Sequence, residues 1–191
     1  MIVQLIKEVP GDMFDNCIKE LSNINWSSVV DNRKKGVFET STSIHLRSHD
    51  VSNNIEKPTS IAGFSSIVEC VDNPKAILRF PAHYKAALWI KEQVNGIALG
   101  RVMIVHLAPR GSIGIHIDPG VYFEHHSRYH IPLITNQNVQ FIDKENNKEH
   151  MPIKTLCRLN NLGYHGLINE SDEVRIHLIV DVAVEGGNST F

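Results

Sequence analysis

The sequence predicts a mainly β, jelly-roll barrel with a few supporting helices, and three observations carry that expectation. From residue 97 to 185, short β-branched runs are separated by Pro, Gly and Asn at the spacing of an all-β sandwich or barrel. The last of these runs, EVRIHLIVDVAV, has an unbroken apolar face (Val174, Ile176, Leu178, Val180, Val182, Val184) opposite Arg175, His177, Ile179 and Asp181. Helical periodicity, by contrast, is confined to the first half of the chain.

In chain order, Pro10, Gly11 and Asp12 form a start signal before Met13, Phe14, Cys17, Ile18, Leu21 and Ile24, which recur at the spacing of an amphipathic helix. Asn32 to Gly36 reads as a turn, and the alternation of VFETSTSIHLR reads as a strand. Residues 47–60 are polar and breaker-rich, a loop. A helical region through NPKAILRF is interrupted at Pro81 and resumes through HYKAALWIKEQV. Beyond the β region, the tail EGGNSTF reads as frayed.

The chain has 191 residues, enough for one substantial core and too few for two, so residues 1–191 are expected as a single domain. Within it, 1–96 form a support region and 97–185 the jelly-roll core. Net charge is -2 and the pI about 6.6, which gives no electrostatic case for nucleic acid or an anionic membrane. The first residues are too charged for a secretory signal, and no apolar run approaches a membrane span. Three widely spaced cysteines, Cys17, Cys70 and Cys157, fit reduced core thiols in a cytoplasmic protein.

Eleven histidines are more than packing needs. In GSIGIHIDPG, His116 and Asp118 share one strand face, with Ile113, Ile115 and Ile117 on the other as its packed side. In RYHIPLI, Arg128 and His130 share a face. These mixed faces are either solvated or turned into a central polar cavity, and three strands of the same kind leave both readings open. A His-x-Asp pair followed at long range by a second His is the sequence form of the 2-His-1-carboxylate triad that binds non-haem Fe(II) and keeps positions open. His165 is the best distal candidate; His125 and His126 fall in an expected loop, and His150 looks exposed. Arg175 on a cavity face calls for an anion, either a bound carboxylate or an acidic neighbour such as Asp181.

The run HLAPRGSIGIHIDPG … RYHIPLITN … LNNLGYHGLINESDEVRIHLIVDV resembles the aspartyl/asparaginyl β-hydroxylase family of Fe(II)/2-oxoglutarate-dependent dioxygenases over roughly residues 97–184, with TSTSIHLR and AILRFP also fitting. The resemblance implies a double-stranded β-helix, a cupin-like jelly roll. It implies Fe(II), 2-oxoglutarate and O2 as the reacting set, with His116, Asp118 and His165 as catalytic metal ligands. It further implies that Arg175 binds the distal carboxylate of 2-oxoglutarate, with Arg128 and His130 helping to hold the cosubstrate or the substrate. The expected reaction hydroxylates an unactivated C–H of an amino acid, an Asp/Asn-type residue or a related small metabolite, so the partner is a small molecule or peptide. Loop 47–60, or segment 119–127 with Tyr122 and Phe123, is the expected lid. Pro109-Arg110-Gly111 departs from the family's usual Pro-Gly and puts the shape of that turn in question. The reading from a different class is a non-catalytic, cupin-like metal or small-molecule binding module.

Overall fold

In the computed structural model, which describes residues 1–22, 24–29, 31, 36–49, 70–118 and 120–191, each of the first three helices begins at a proline. Pro10 precedes α1 (Gly11–Leu21), Pro74 opens α2 (Pro74–Arg79) and Pro81 opens α3 (Pro81–Gln93). A helix's first N–H groups have no intrahelical acceptor, so proline's missing donor costs nothing there and its fixed φ favours the first turn. Asn73 caps α2 by accepting from the Ala76 N–H. Strand β1 (Val3–Glu8) precedes α1, and β2 (Ser41–Ser48) and β3 (Val71–Asp72) precede α2. The expected strand over 37–47 therefore starts only at Ser41, because Gly36–Phe38 turn as a 3-10 helix.

The second half is β4 (Ala98–Leu107), β5 (Ser112–His116), the short α4 (Val121–His125), β6 (His126–Ile134), β7 (Val139–Ile142), β8 (Lys148–Glu149), β9 (Thr155–Leu159), β10 (His165–Asn169) and β11 (Arg175–Ala183). Two antiparallel sheets result, one ordered β1-β9-β6-β11-β4-β2-β3 and the other β5-β10-β7-β8. The molecule is a mainly β jelly roll with helices outside. Three strands of the first half (β1, β2 and β3) hydrogen-bond into the large sheet with β4, β6, β9 and β11.

The parity of β11 decides how the layers sit. Ile176, Leu178, Val180 and Val182 pack outward with Val102, Ile104, Ile131 and Leu133 against Cys17, Leu21, Phe80, Ala86 and Ile90 of the helices. Each such fully buried aliphatic contributes about 1.5–3 kcal/mol. All nine residues of β11 are buried, so its other face, with Arg175, His177 and Asp181, lies inside the barrel. That excludes the solvated alternative for this strand. Leu107, Phe141, Met151, Leu159 and Leu167 fill the space between the sheets.

Three local expectations change. Asn188 in the tail is docked: it donates from its side chain to Phe123 O and Asn161 Oδ1, and accepts from Ser127 Oγ and Arg158 Nη2. His126 is not in a loop but fully buried at the start of β6. The Pro109–Gly111 turn is closed by Gly111 N–H donating to Ala108 O, with Arg110 in the left-handed region at φ 56° and forked onto Asp172. All three cysteines are free and buried. Among the described residues no helix is long and apolar enough to cross a membrane.

Candidate metal centre

Strand β5 does not keep the parity read from its sequence. Its pairing with β10 slips by one residue between Leu167↔Ile113 and His165↔His116, a β-bulge that places two residues opposite one. The extra residue puts Ile113 and His116 on the same, cavity-facing side. Ile115 and Ile117, expected to be packed, are instead 41% and 37% exposed. The bulge thus aims His116 inward at the cost of exposing two isoleucines. Asp118 lies just beyond the strand, its N–H donating to Asn161 O.

His116, Asp118 and His165 come together: one ligand atom from each lies within 4.8 Å of the others. The two rings are 4.4 Å apart by centroid, and His116 Nε2 is 3.8 Å from Asp118 Oδ1. His116 Nδ1 meets Gly114 O at 2.7 Å, and His165 Nδ1 meets Gly163 O at 2.9 Å. A carbonyl only accepts, so each Nδ1 carries a proton, and in the neutral form of such a ring the lone pair sits on Nε2. Such backbone partners fix the tautomer and ring orientation of a metal-binding histidine. Burial pushes the His165 pKa down to about 4, so this ring is neutral at pH 7. Two imidazoles and a carboxylate are a donor set suited to Fe(II), and three protein ligands leave further coordination positions open.

Arg128 stands behind Asp118. Its Nη1 donates to Asp118 Oδ2 at 2.5 Å, and its Nε and Nη2 donate to Asp181 Oδ1 and Oδ2 at 2.8 and 3.1 Å. Asp181 is fully buried and also accepts from Arg101 Nε at 2.9 Å. These guanidinium groups hold the Asp181 carboxyl well below the usual range, overcoming the opposing effect of burial.

Arg175, at the other end of β11, is differently placed. It is 1% exposed, and among the described residues no carboxylate pairs with it; Asp181 is engaged by Arg128 and Arg101 instead. Its Nη2 donates to His177 Nδ1 at 2.6 Å, and its Nε has no hydrogen-bond partner there. Burial alone pushes its pKa down to about 9. His130 Nδ1 is 3.2 Å from His177 Nδ1, and both rings are held neutral, first by burial and then by the Arg175 charge. His130 Nε2 is buried without a partner among the described residues. A cavity is lined by His116, His165, Arg128, His130 and Arg175 and by apolar groups such as Met103, Val105 and Ile179. A buried, uncompensated guanidinium beside a metal-type triad fits a chelating dianion with a second, distal carboxylate.

The structure therefore gathers His116, His165, Arg128, His130 and Arg175 around one cavity, with Asp118 against His116, His165 and Arg128. Sequence reasoning missed His177 and Arg101 as partners. Strand parity was the available signal, since His177 shares the Arg175 face and Arg101 shares that of Met103 and Val105. Of the two expected lids, residues 50–60 of the first lie outside the described residues. In the second, Phe123 is buried and Tyr122 OH accepts from Arg101 N–H, so α4 is packed onto the sheet.

The family model described as aspartyl/asparaginyl beta-hydroxylase matches residues 64–184. No curated protein sequence matches the chain significantly. Among solved structures, a prolyl hydroxylase from Trichoplax adhaerens, in complex with a hypoxia inducible factor oxygen degradation domain peptide fragment, is similar with a TM-score of 0.60 and 10% identity, over 95% of this chain and 83% of that one. A Pseudomonas putida prolyl-4-hydroxylase gives 0.53 at 9% identity, over 96% and 92% of the two chains. A viral collagen prolyl hydroxylase from Paramecium Bursaria Chlorella virus-1 gives 0.52 at 10% identity, over 96% and 97%. At these identities the likeness is one of fold, the double-stranded β-helix.

Proposed function

Since this chain belongs to the aspartyl/asparaginyl β-hydroxylase family and is a 2-oxoglutarate- and Fe(II)-dependent hydroxylase, we propose that His116, Asp118 and His165 hold the iron and that Arg175 anchors the cosubstrate. The observation that carries this reading is Arg175: a fully buried guanidinium without a carboxylate among the described residues, in the same cavity as the triad. The chemistry supplied when iron and 2-oxoglutarate are bound is oxidative decarboxylation to succinate and CO2, coupled through O2 to hydroxylation of a C–H bond.

The residues of the chain do the rest. Gly114 O and Gly163 O hold both ligand rings with Nε2 inward. Arg128 holds one oxygen of Asp118 and leaves the other for the metal. Arg175 binds the distal carboxylate of 2-oxoglutarate through its fork, with His130 Nε2 as a further polar contact. Met103, Val105, Ile113, Phe141 and Ile179 keep bulk water from the cavity, which a strongly oxidising centre requires. Three protein ligands among the described residues, not four, favour an open, reactive site over a purely binding module.

The substrate in this reading is an amino acid, an Asp/Asn-type residue of a peptide or a related small metabolite. A fold relative that takes a peptide supports keeping peptides in that set. The chain acts as one domain, and the joining of β1 to β3 with the core strands in one sheet supports this. Three unpaired buried cysteines support a cytoplasmic setting. The test is succinate formation with Fe(II) and 2-oxoglutarate across free amino acids and short peptides, with mass spectrometry for a gain of one oxygen. A substrate-dependent rise in succinate with a matching hydroxylated product is expected. Absence of iron-dependent 2-oxoglutarate turnover, with or without substrate, overturns the reading.

A further inference from the structure

Asp118, Arg128, Asp181 and Arg101 form a chain of alternating charge that runs from the triad into the sheet. Asp181 and Arg128 are register partners across β11 and β6, so the fork between them is set by the sheet. Asp181 is fully buried, and Tyr122 OH also donates to it at 3.3 Å. Resting on the reading of Asp118 as an iron ligand, we propose that Asp181 is a positioning residue for the metal: it holds Arg128 and offsets its charge.

The physical need is specific. A guanidinium 2.5 Å from Asp118 Oδ2 orients that carboxylate, so that Oδ1, the oxygen nearer His116 Nε2, is the one presented. An unbalanced guanidinium there would also withdraw charge from the ligand and repel a dication a few ångströms away, more strongly than in water because the site is buried. Asp181, which Arg128 shares with Arg101, lies on the other side of Arg128 and offsets part of that charge, while the hydrogen bond to Asp118 remains. Asp181 thereby acts on the metal only through Arg128.

The test is a titration of the full chain with Co(II) alone, whose visible absorption reports coordination, in wild type, Asp181→Asn, Arg128→Gln and the double variant. Asp181→Asn is expected to weaken binding about tenfold to a hundredfold, the range for loss of an outer partner. In the Arg128→Gln background the same substitution should change binding by no more than about threefold, a coupling of the kind expected within one charge network. Binding of Asp181→Asn within about twofold of wild type, or an equal loss in both backgrounds, overturns the proposal. Should Asp181→Asn lose cooperative thermal unfolding, the comparison within the Arg128→Gln background decides alone: a tenfold loss there overturns it, and parity supports it. If Asp118→Asn binds Co(II) as tightly as wild type, the ligand reading itself is what fails.

Discussion

His116 and His165 are register partners across β5 and β10, and each gives its Nδ1 proton to the carbonyl two residues before it, Gly114 and Gly163 respectively. The same local device is therefore used twice, once on each strand, and the two Nε2 atoms are left to converge. Gly166 lets the strands close: a Cβ there would stand 3.0 Å from Ile113 O and 3.1 Å from Ile115 Cγ1.

Replacing His116, Asp118 or His165 by Ala should lower iron-dependent succinate formation by more than about a hundredfold, beyond what loss of a mere supporting partner costs. Turnover of 2-oxoglutarate by each variant, with Fe(II) in excess, checks this. Retention of a tenth of wild-type turnover in any one removes that residue from the triad.

Arg175→Met separates function from stability. Loss of a charge-assisted fork should raise the 2-oxoglutarate requirement by about tenfold to a hundredfold, measured as the KM for 2-oxoglutarate. The same change replaces a buried guanidinium, whose pKa burial pushes down to about 9, with an apolar group. The ligand-free variant should therefore be as stable as wild type or more so, by about 1 kcal/mol or more in urea unfolding. An unchanged KM places the anchor elsewhere.

Acid should destabilise the fold before its carboxylates titrate. His83, His126 and His177 all have pKa values lowered chiefly by burial, so the folded state resists protonation and the unfolded chain does not. Between the unfolded value of about 6.5 and the lower folded values, the unfolded state binds more protons, and stability falls as pH falls. Each ring removes up to about 1.4 kcal/mol per pH unit in that window. Urea unfolding at pH 7.5 and 5.5 measures the loss; equal stability at the two values contradicts it.

Asn188→Ala should cost about 1–3 kcal/mol, since it strips partners from Ser127, Arg158 and Asn161 at once. Asn161 also holds the Asp118 N–H through its carbonyl, so iron affinity should fall with stability. Thermal unfolding together with metal titration checks both. A variant as stable as wild type shows that the tail contributes nothing.

Much of the site was legible because a strand repeats every two residues. The parity of RYHIPLI and EVRIHLIVDV alone separates Arg128, His130, Arg175, His177 and Asp181 from the aliphatic faces, and the helices then have one apolar surface to cover. Parity failed at GSIGIHID, where the bulge between Ile113 and His116 shifts the phase; Gly114, inside that stretch, is the kind of residue that marks a bulge, and strict alternation passes over it. The docked tail was equally hidden, because Asn188 gains its partners from two distant stretches, 123–127 and 158–161.

The sequence by itself determined the fold class, the layer in which the helices sit, and the residue types that can hold a metal and an anion. These follow from periodicity and side-chain chemistry, which are local. Only the tertiary structure decided the pairings: that Asp181 serves Arg128 and not Arg175, that Arg128 reaches Asp118, and that Arg175 is left without a carboxylate among the described residues. Pairing depends on the register and depth of strands far apart in the chain, and at the same parity a few ångströms separate a paired guanidinium from one that calls for a ligand.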